Sequence, residues 1–196
     1  MPYLCNQSRT PRYAPMFEWV SKPDNDAVWR LKQGVRLAPE ELPTHAQLRT
    51  RFKTLPDFIH LASAWGVTDA FRDKVEELEP GVHQFFPVTL LDPKGVPIEG
   101  AHYSILNVMT IVQAMDTELT HGDWIEPRRP NGKRIFEPAR GVNLHMVLRR
   151  DVAGSLHLWR DALRPESGVF FSDVLWDWVQ RQKLKKLVGE RAIWAD

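Results

Sequence analysis

The chain opens without a sustained rhythm of apolar and polar positions. Residues 1–20 carry Pro2, Pro11 and Pro15, and an irregular arm is expected there. In "FEWVSKPDNDAVWRLKQGVRL" two short apolar stretches, around Trp19 and Trp29, flank a Pro-Asp-Asn-Asp turn and read as short strands or extended pieces. The next segment, "LPTHAQLRTRFKTLPDFI", sets Thr44 and Gln47 at capping-box spacing and Leu48 and Phe52 on one helical face. It predicts a helix that Pro56 stops. The helical signal is strongest in "GVTDAFRDKVEELEPGV": Thr68 and Asp69 suit the first turn, Phe71, Val75 and Leu78 line one face, and Pro80-Gly81 ends it.

Strand-like periods follow. "VHQFFPVTLLDPKGVPIEGAHYSILNV" reads as two strands joined by the turn Asp92-Pro93-Lys94-Gly95, with Pro87 placing the first strand at an edge or a bulge. Periodicity fades between Asp116 and Gly141, where "THGDWIEPRRPNGKRIFEPARG" reads as a long loop. Alternation returns in "VNLHMVLRRDVAGSLHLW". Val142, Leu144, Met146 and Leu148 share a face that Leu156 and Leu158 continue after Asp151–Gly154, so a hairpin is expected. "VFFSDVLWDWVQRQKLKKL" then reads as strand, Ser172 cap and amphipathic helix, its end carrying Lys183, Lys185 and Lys186. Phe71, Val75, Leu78, Leu106, Leu158 and Phe170 are the expected core. The pattern defines an α+β fold, an antiparallel β-sheet with hairpins packed against a few amphipathic helices.

Composition narrows the function. The 196 residues are 43% hydrophobic and 26% charged with a formal net charge of +1, which lacks the basic footprint of a general nucleic-acid binder. Cys5 is the one cysteine, so neither an internal disulfide nor a Cys-rich zinc site can form. No signal-peptide pattern opens the chain and no apolar run reaches membrane-span length, which makes a cytoplasmic protein the expectation. Eight tryptophans must serve packing or a binding surface.

The densest polar chemistry is "GSLHLWRDALRPESGVFFSD", residues 154–173. Its spacing matches no nucleophile elbow, phosphate loop, dinucleotide fingerprint or zinc-protease motif. It reads as structure: Leu156 and Leu158 face a core, His157 and Trp159 the opposite side, and Ser172-Asp173 cap a helix. His145 and His157 share one face of the expected hairpin, and a metal or acid–base pair there would need further ligands that the neighbouring sequence does not specify. No metal and no cofactor are expected. Trp124 precedes the basic run Arg128, Arg129, Lys133 and Arg134, diluted by Glu126 and Glu137. An aromatic beside arginines suits a solvated loop, a protein contact or, last, a nucleic acid.

"FRDKVEELEPGVHQFFPVTL", "YSILNV", "LHLWRD" and "GVFFSDVLWDWV", in this order and spacing, resemble the immunity-protein family numbered eleven of bacterial polymorphic toxin systems. The likeness covers residues 55–190. It implies an α+β protein that is not an enzyme and that binds and blocks a cognate toxin in the cytoplasm, often one delivered by contact-dependent or type VI secretion. On this reading residues 1–54 are an N-terminal arm and helix packed on an immunity-protein-like region, residues 55–196. The partner is a toxin encoded nearby rather than nucleic acid or membrane, and the oligomeric state is open. A small-molecule binder or enzyme using His145 and His157 is the alternative, and an effector-loading adaptor the third. The segment from Trp124 to Gly141 is richer in arginine and proline than the family pattern. That makes Trp124, Arg128, Arg129, Lys133 and Arg134 the candidate partner-binding residues.

Overall fold

The alternation of Phe86, Val88 and Leu90 builds strand β6 (Gln84–Leu91), which pairs antiparallel with β7 (Pro97–Asn107). As expected, the connection is a turn closed by Asp92, whose Oδ1 accepts the amides of Lys94 (2.8 Å) and Val96 (2.9 Å). Gly95 takes φ +81°, a conformation that strains any residue with a Cβ. These coordinates come from a computed structural model that describes residues 1–7, 15–62, 64–126, 134–139, 145–166, 168–182, 184 and 187–195.

Around this hairpin the chain closes a barrel. Strands β2 (Phe17–Trp19), β3 (His45–Leu48), β6, β7, β5 (Ala64–Thr68) and β4 (Phe58–Leu61) follow one another around it. Phe86, Val88 and Leu90 meet Ala46, Leu48, Ile59, Leu61 and Ile105 in its interior. The bore is narrow enough to require a glycine: a Cβ on Gly66 would lie 2.8 Å from the Ile59 and Leu61 side chains. Pro87 lies on the stretch of β6 that β3, paired with β6 only from Thr89 to Leu91, does not reach. The expectation of an edge position holds locally, because proline has no amide to offer a second neighbour.

A second sheet is ordered β14 (Leu187–Arg191), β1 (Tyr3–Gln7), β13 (Val169–Phe171), β12 (Leu158–Asp161) and β8 (Ile111–Val112). One face sends Cys5, Leu158, Val169 and Phe171 against outward barrel residues Phe58, Val67 and Leu106. The same layer holds Phe71 and Val75 of α2 (Asp69–Leu78) and Leu175 and Val179 of α4 (Asp173–Arg181). The opposite face sends Trp159 and Phe170 into a cluster with Met115, Phe136, Met146 and Leu148. The expected core is buried, with Leu78 only partly so.

Several expectations are corrected. Residues 1–20 are not simply an irregular arm, because β1 occupies an interior position of the sheet, between β13 and β14. The apolar run Tyr3-Leu4-Cys5 is too short for its period to be read. Trp29 lies on helix α1 (Asn25–Lys32), whose Asp24 side chain accepts the Asp26 amide at 3.0 Å; the acidic turn is a helix cap. Residues 45–48 are strand, not helix: Thr44 Oγ1 pairs with His45 Nδ1, and the Gln47 side chain donates from Nε2 to the Pro93 carbonyl. Parallel pairing of Ala46 with Leu90 outweighs the local helical spacing.

The expected hairpin across Asp151–Gly154 does not form. β11 (Val147–Arg149) runs into the single turn α3 (Arg150–Ala153) and pairs in parallel with β15 (Ile193–Ala195), while β12 joins β13 and β8. Val142 and Leu144 lie outside the described residues. Trp159 is fully buried rather than outward, since both faces of β12 are covered. The region read as a long loop contains a two-stranded sheet, β9 (Gly122–Ile125) with β10 (Ile135–Pro138). The class is α+β, but a closed barrel and the parallel neighbours β2–β4, β3–β6, β8–β12 and β11–β15 replace a purely antiparallel sheet.

Leu158 joins barrel, helices and sheet in one cluster and is 0% exposed. Leu158→Ala should therefore cost about 2–5 kcal/mol in urea unfolding; a loss of a few tenths would contradict this packing.

Candidate partner-binding surface

The β9–β10 hairpin positions two of the five candidate residues. Its register sets Trp124 opposite Phe136 and Ile125 opposite Ile135. Phe136 is buried and anchors the hairpin, and Trp124 meets its ring edge-on at 5.4 Å while remaining 42% exposed. The Arg134 guanidinium lies 5.0 Å from the centre of the Trp124 ring, and its Nε is 2.8 Å from Glu126. The cation–π contact places Arg134 against Trp124, and the ion pair with Glu126 is solvent-exposed. Arg128, Arg129 and Lys133 lie outside the described residues.

Sequence reasoning missed what surrounds them. Ile125 (39%) and Leu119 (52%) are exposed, and the His121 and His145 rings stand 4.9 Å apart. The available signal was the pairing of "GDWI" with "IFEP", two short alternating runs hidden by the charged segment between them.

The histidine alternative does not assemble as expected. His145 and His157 share no hairpin: the first packs on His121, whereas Nδ1 of the second is 2.9 Å from Ser172 Oγ. A serine and histidine at a strand-to-helix junction invite comparison with a nucleophile and its base. Ser172, however, has an ordinary extended backbone (φ −62°, ψ 165°), is buried, and accepts the Leu175 amide at 3.2 Å. It caps α4, as the sequence implied.

Beside it stands a buried polar junction. Glu79, at the end of α2, accepts the His157 amide on Oε1 (2.8 Å) and the Leu158 amide on Oε2 (3.1 Å). His83 Nε2 is 2.8 Å from Glu79 Oε2, and His83 Nδ1 accepts the Met109 amide at 3.2 Å. These partners assign the Nε2–H tautomer. Burial pushes the Glu79 carboxyl up, but the His83 ring and the His157 amide outweigh it and hold the carboxyl below the usual range. Asp161 similarly accepts the amides of Ala114 (3.0 Å), Met115 (2.7 Å) and Leu163 (2.9 Å), although burial dominates there and pushes its carboxyl up. Both carboxylates tie backbone segments together.

Among the described residues, no group of three or more His, Cys, Asp or Glu side chains could hold a metal ion, and no helix is long and apolar enough to cross a membrane. An open cleft beside α2 is lined by Asp69, Arg72, Thr89, His102 and Ser104. Its Arg72 is already committed to Asp69 (2.9 Å) and Asp73 (2.8 Å).

The hairpin thus carries an exposed aromatic–arginine pair over a buried phenylalanine. The model of the Immunity protein family (Imm11) matches residues 8–190, and the chain belongs to that family. The family implies a toxin as the partner. A comparison with curated proteins found no match.

The Glu79 junction has a measurable consequence. Because the folded carboxyl titrates below its unfolded value of about 4.3, its stabilisation is complete above that pH and is lost as pH falls through the lower folded value. Glu79→Gln should cost about 1–3 kcal/mol at pH 7, and its deficit relative to the parent should shrink below about pH 4. Urea unfolding across pH 3–7 checks this; a deficit independent of pH would contradict it.

Proposed function

We propose that the protein is a cytoplasmic, non-enzymatic immunity protein of a polymorphic toxin system. It binds a cognate toxin encoded nearby and blocks it by occupying the toxin's surface. The observation that carries this reading is the family match across residues 8–190. Inhibition by contact requires a surface stable enough to lose little freedom on binding. The β9–β10 hairpin supports that requirement, with Phe136 buried at its base and Trp124 held between Phe136 and Arg134. Trp124 and Arg134, together with Arg128, Arg129 and Lys133 of the connecting segment, are the residues proposed to meet the toxin. A scaffold of buried strands can persist while this segment changes to suit different toxins.

Co-expression with the toxin domain of the adjacent reading frame should restore growth of a sensitive strain, and the two proteins should co-purify. The double variant Trp124→Ala, Arg129→Ala should weaken toxin binding about thirtyfold while unfolding free energy moves by less than about 1 kcal/mol. Unchanged affinity in calorimetry would remove the hairpin from the interface.

A further inference from the structure

Among the described residues each strand of the hairpin pairs only with the other, and β9 is the exposed one of the two. Ala139 donates its amide to the His121 carbonyl at 2.7 Å, a single bond, since the His121 amide goes to the His145 carbonyl at 2.9 Å; that bond sets the phase of the antiparallel ladder. The register continues through Asp123–Glu137 and Ile125–Ile135, so those pairs are hydrogen-bonded as well. Gly122 and Trp124 occupy the alternate positions and turn their N–H and C=O groups away from β10. Pro138, which has no amide, stands opposite Gly122, where none is needed. All four residues of β9 are exposed, and among the described residues only β10 pairs with it.

The side chains say what would fit this edge. Asp123 and Glu137 face each other directly on the side of the hairpin that also carries Ile125 and Ile135. Two carboxylates in that relation repel. Glu137 is offset by Arg164 Nη1 at 3.0 Å, whereas Asp123 has no cation among the described residues. Beside Asp123, Ile125 is 39% exposed. We infer that β9 is a strand-addition site: an extended segment of the toxin pairs with the free edge at Gly122 and Trp124. That segment sets a lysine or arginine beside Asp123 and an apolar side chain beside Ile125, two positions apart on one face. The inference rests on the immunity reading above and specifies the mode of binding.

Backbone exchange separates strand pairing from simple burial. In a complex with the adjacent-frame toxin domain, the Gly122 and Trp124 amides should exchange at least about a hundredfold more slowly than in the free protein. Asp123 and Ile125, already bonded to β10, serve as internal references and should change far less. Asp123→Lys, an exposed substitution whose folding circular dichroism verifies, should weaken the complex about tenfold or more. A complex in which the Gly122 and Trp124 amides are unprotected overturns strand addition and leaves the immunity reading standing. Failure of any complex to form overturns both. A free protein that is dimeric in sedimentation, with both amides already protected, assigns the edge to a second copy and overturns the toxin as its occupant.

Discussion

The Glu79 carboxylate joins the helix beside the barrel to the second sheet by hydrogen bonds. It leaves the end of α2, a helix that follows directly from barrel strand β5, and accepts two successive amides where β12 enters the second sheet. His83, just before β6, supplies a further donor, and its other ring nitrogen reaches the Met109 amide beyond β7. Apolar packing is tolerant of small slides, whereas a carboxylate bonded to two specific amides is not. The junction therefore helps hold the register between barrel and sheet, beside the cluster of Phe58, Phe71, Leu158, Phe171 and Leu175. A buried carboxylate without those donors would be strongly unfavourable, so each element that presents one is held in place.

The tryptophans divide along the same lines. Trp159 stacks on Phe170 with ring centres 5.4 Å apart, and Trp176 stacks on Tyr3 at 4.8 Å, so both consolidate the sheet from its two sides. Trp124 belongs to a different setting. Its inner edge rests on Phe136 while its outer surface carries Arg134, which spreads a core contact outward to solvent. A hairpin supported in this way presents a shaped surface outside the barrel.

Local chemistry was legible in three short stretches that contain both the element and its stop signals. Helix α2 shows its apolar stripe and its Pro-Gly end, the β6–β7 turn shows Asp92 and Gly95, and Ser172 shows its cap. The ordered motifs also carried the family itself. What the sequence could not reveal involves partners distant along the chain. Period-two alternation states that a strand has two faces, but not which strand lies beside it. Residues 142–158 therefore read as a hairpin, although β11 pairs with β15 and β12 with β13 and β8. Residues 44–52 offered helical spacing, and only the parallel neighbour β6 decided for strand at 45–48. His145 and His157 looked like a pair because the reading assumed the wrong neighbour. Trp124 and Arg134 were visible as residue types, but their stacking and the exposed position of β9 arise from a register that only tertiary pairing creates. By itself the sequence determined the apolar stripe and end of α2, the Asp92–Gly95 turn, the Ser172 cap and the family. The tertiary structure decided strand partners, barrel closure and the geometry of the β9–β10 hairpin, because these depend on contacts between residues that no local period connects.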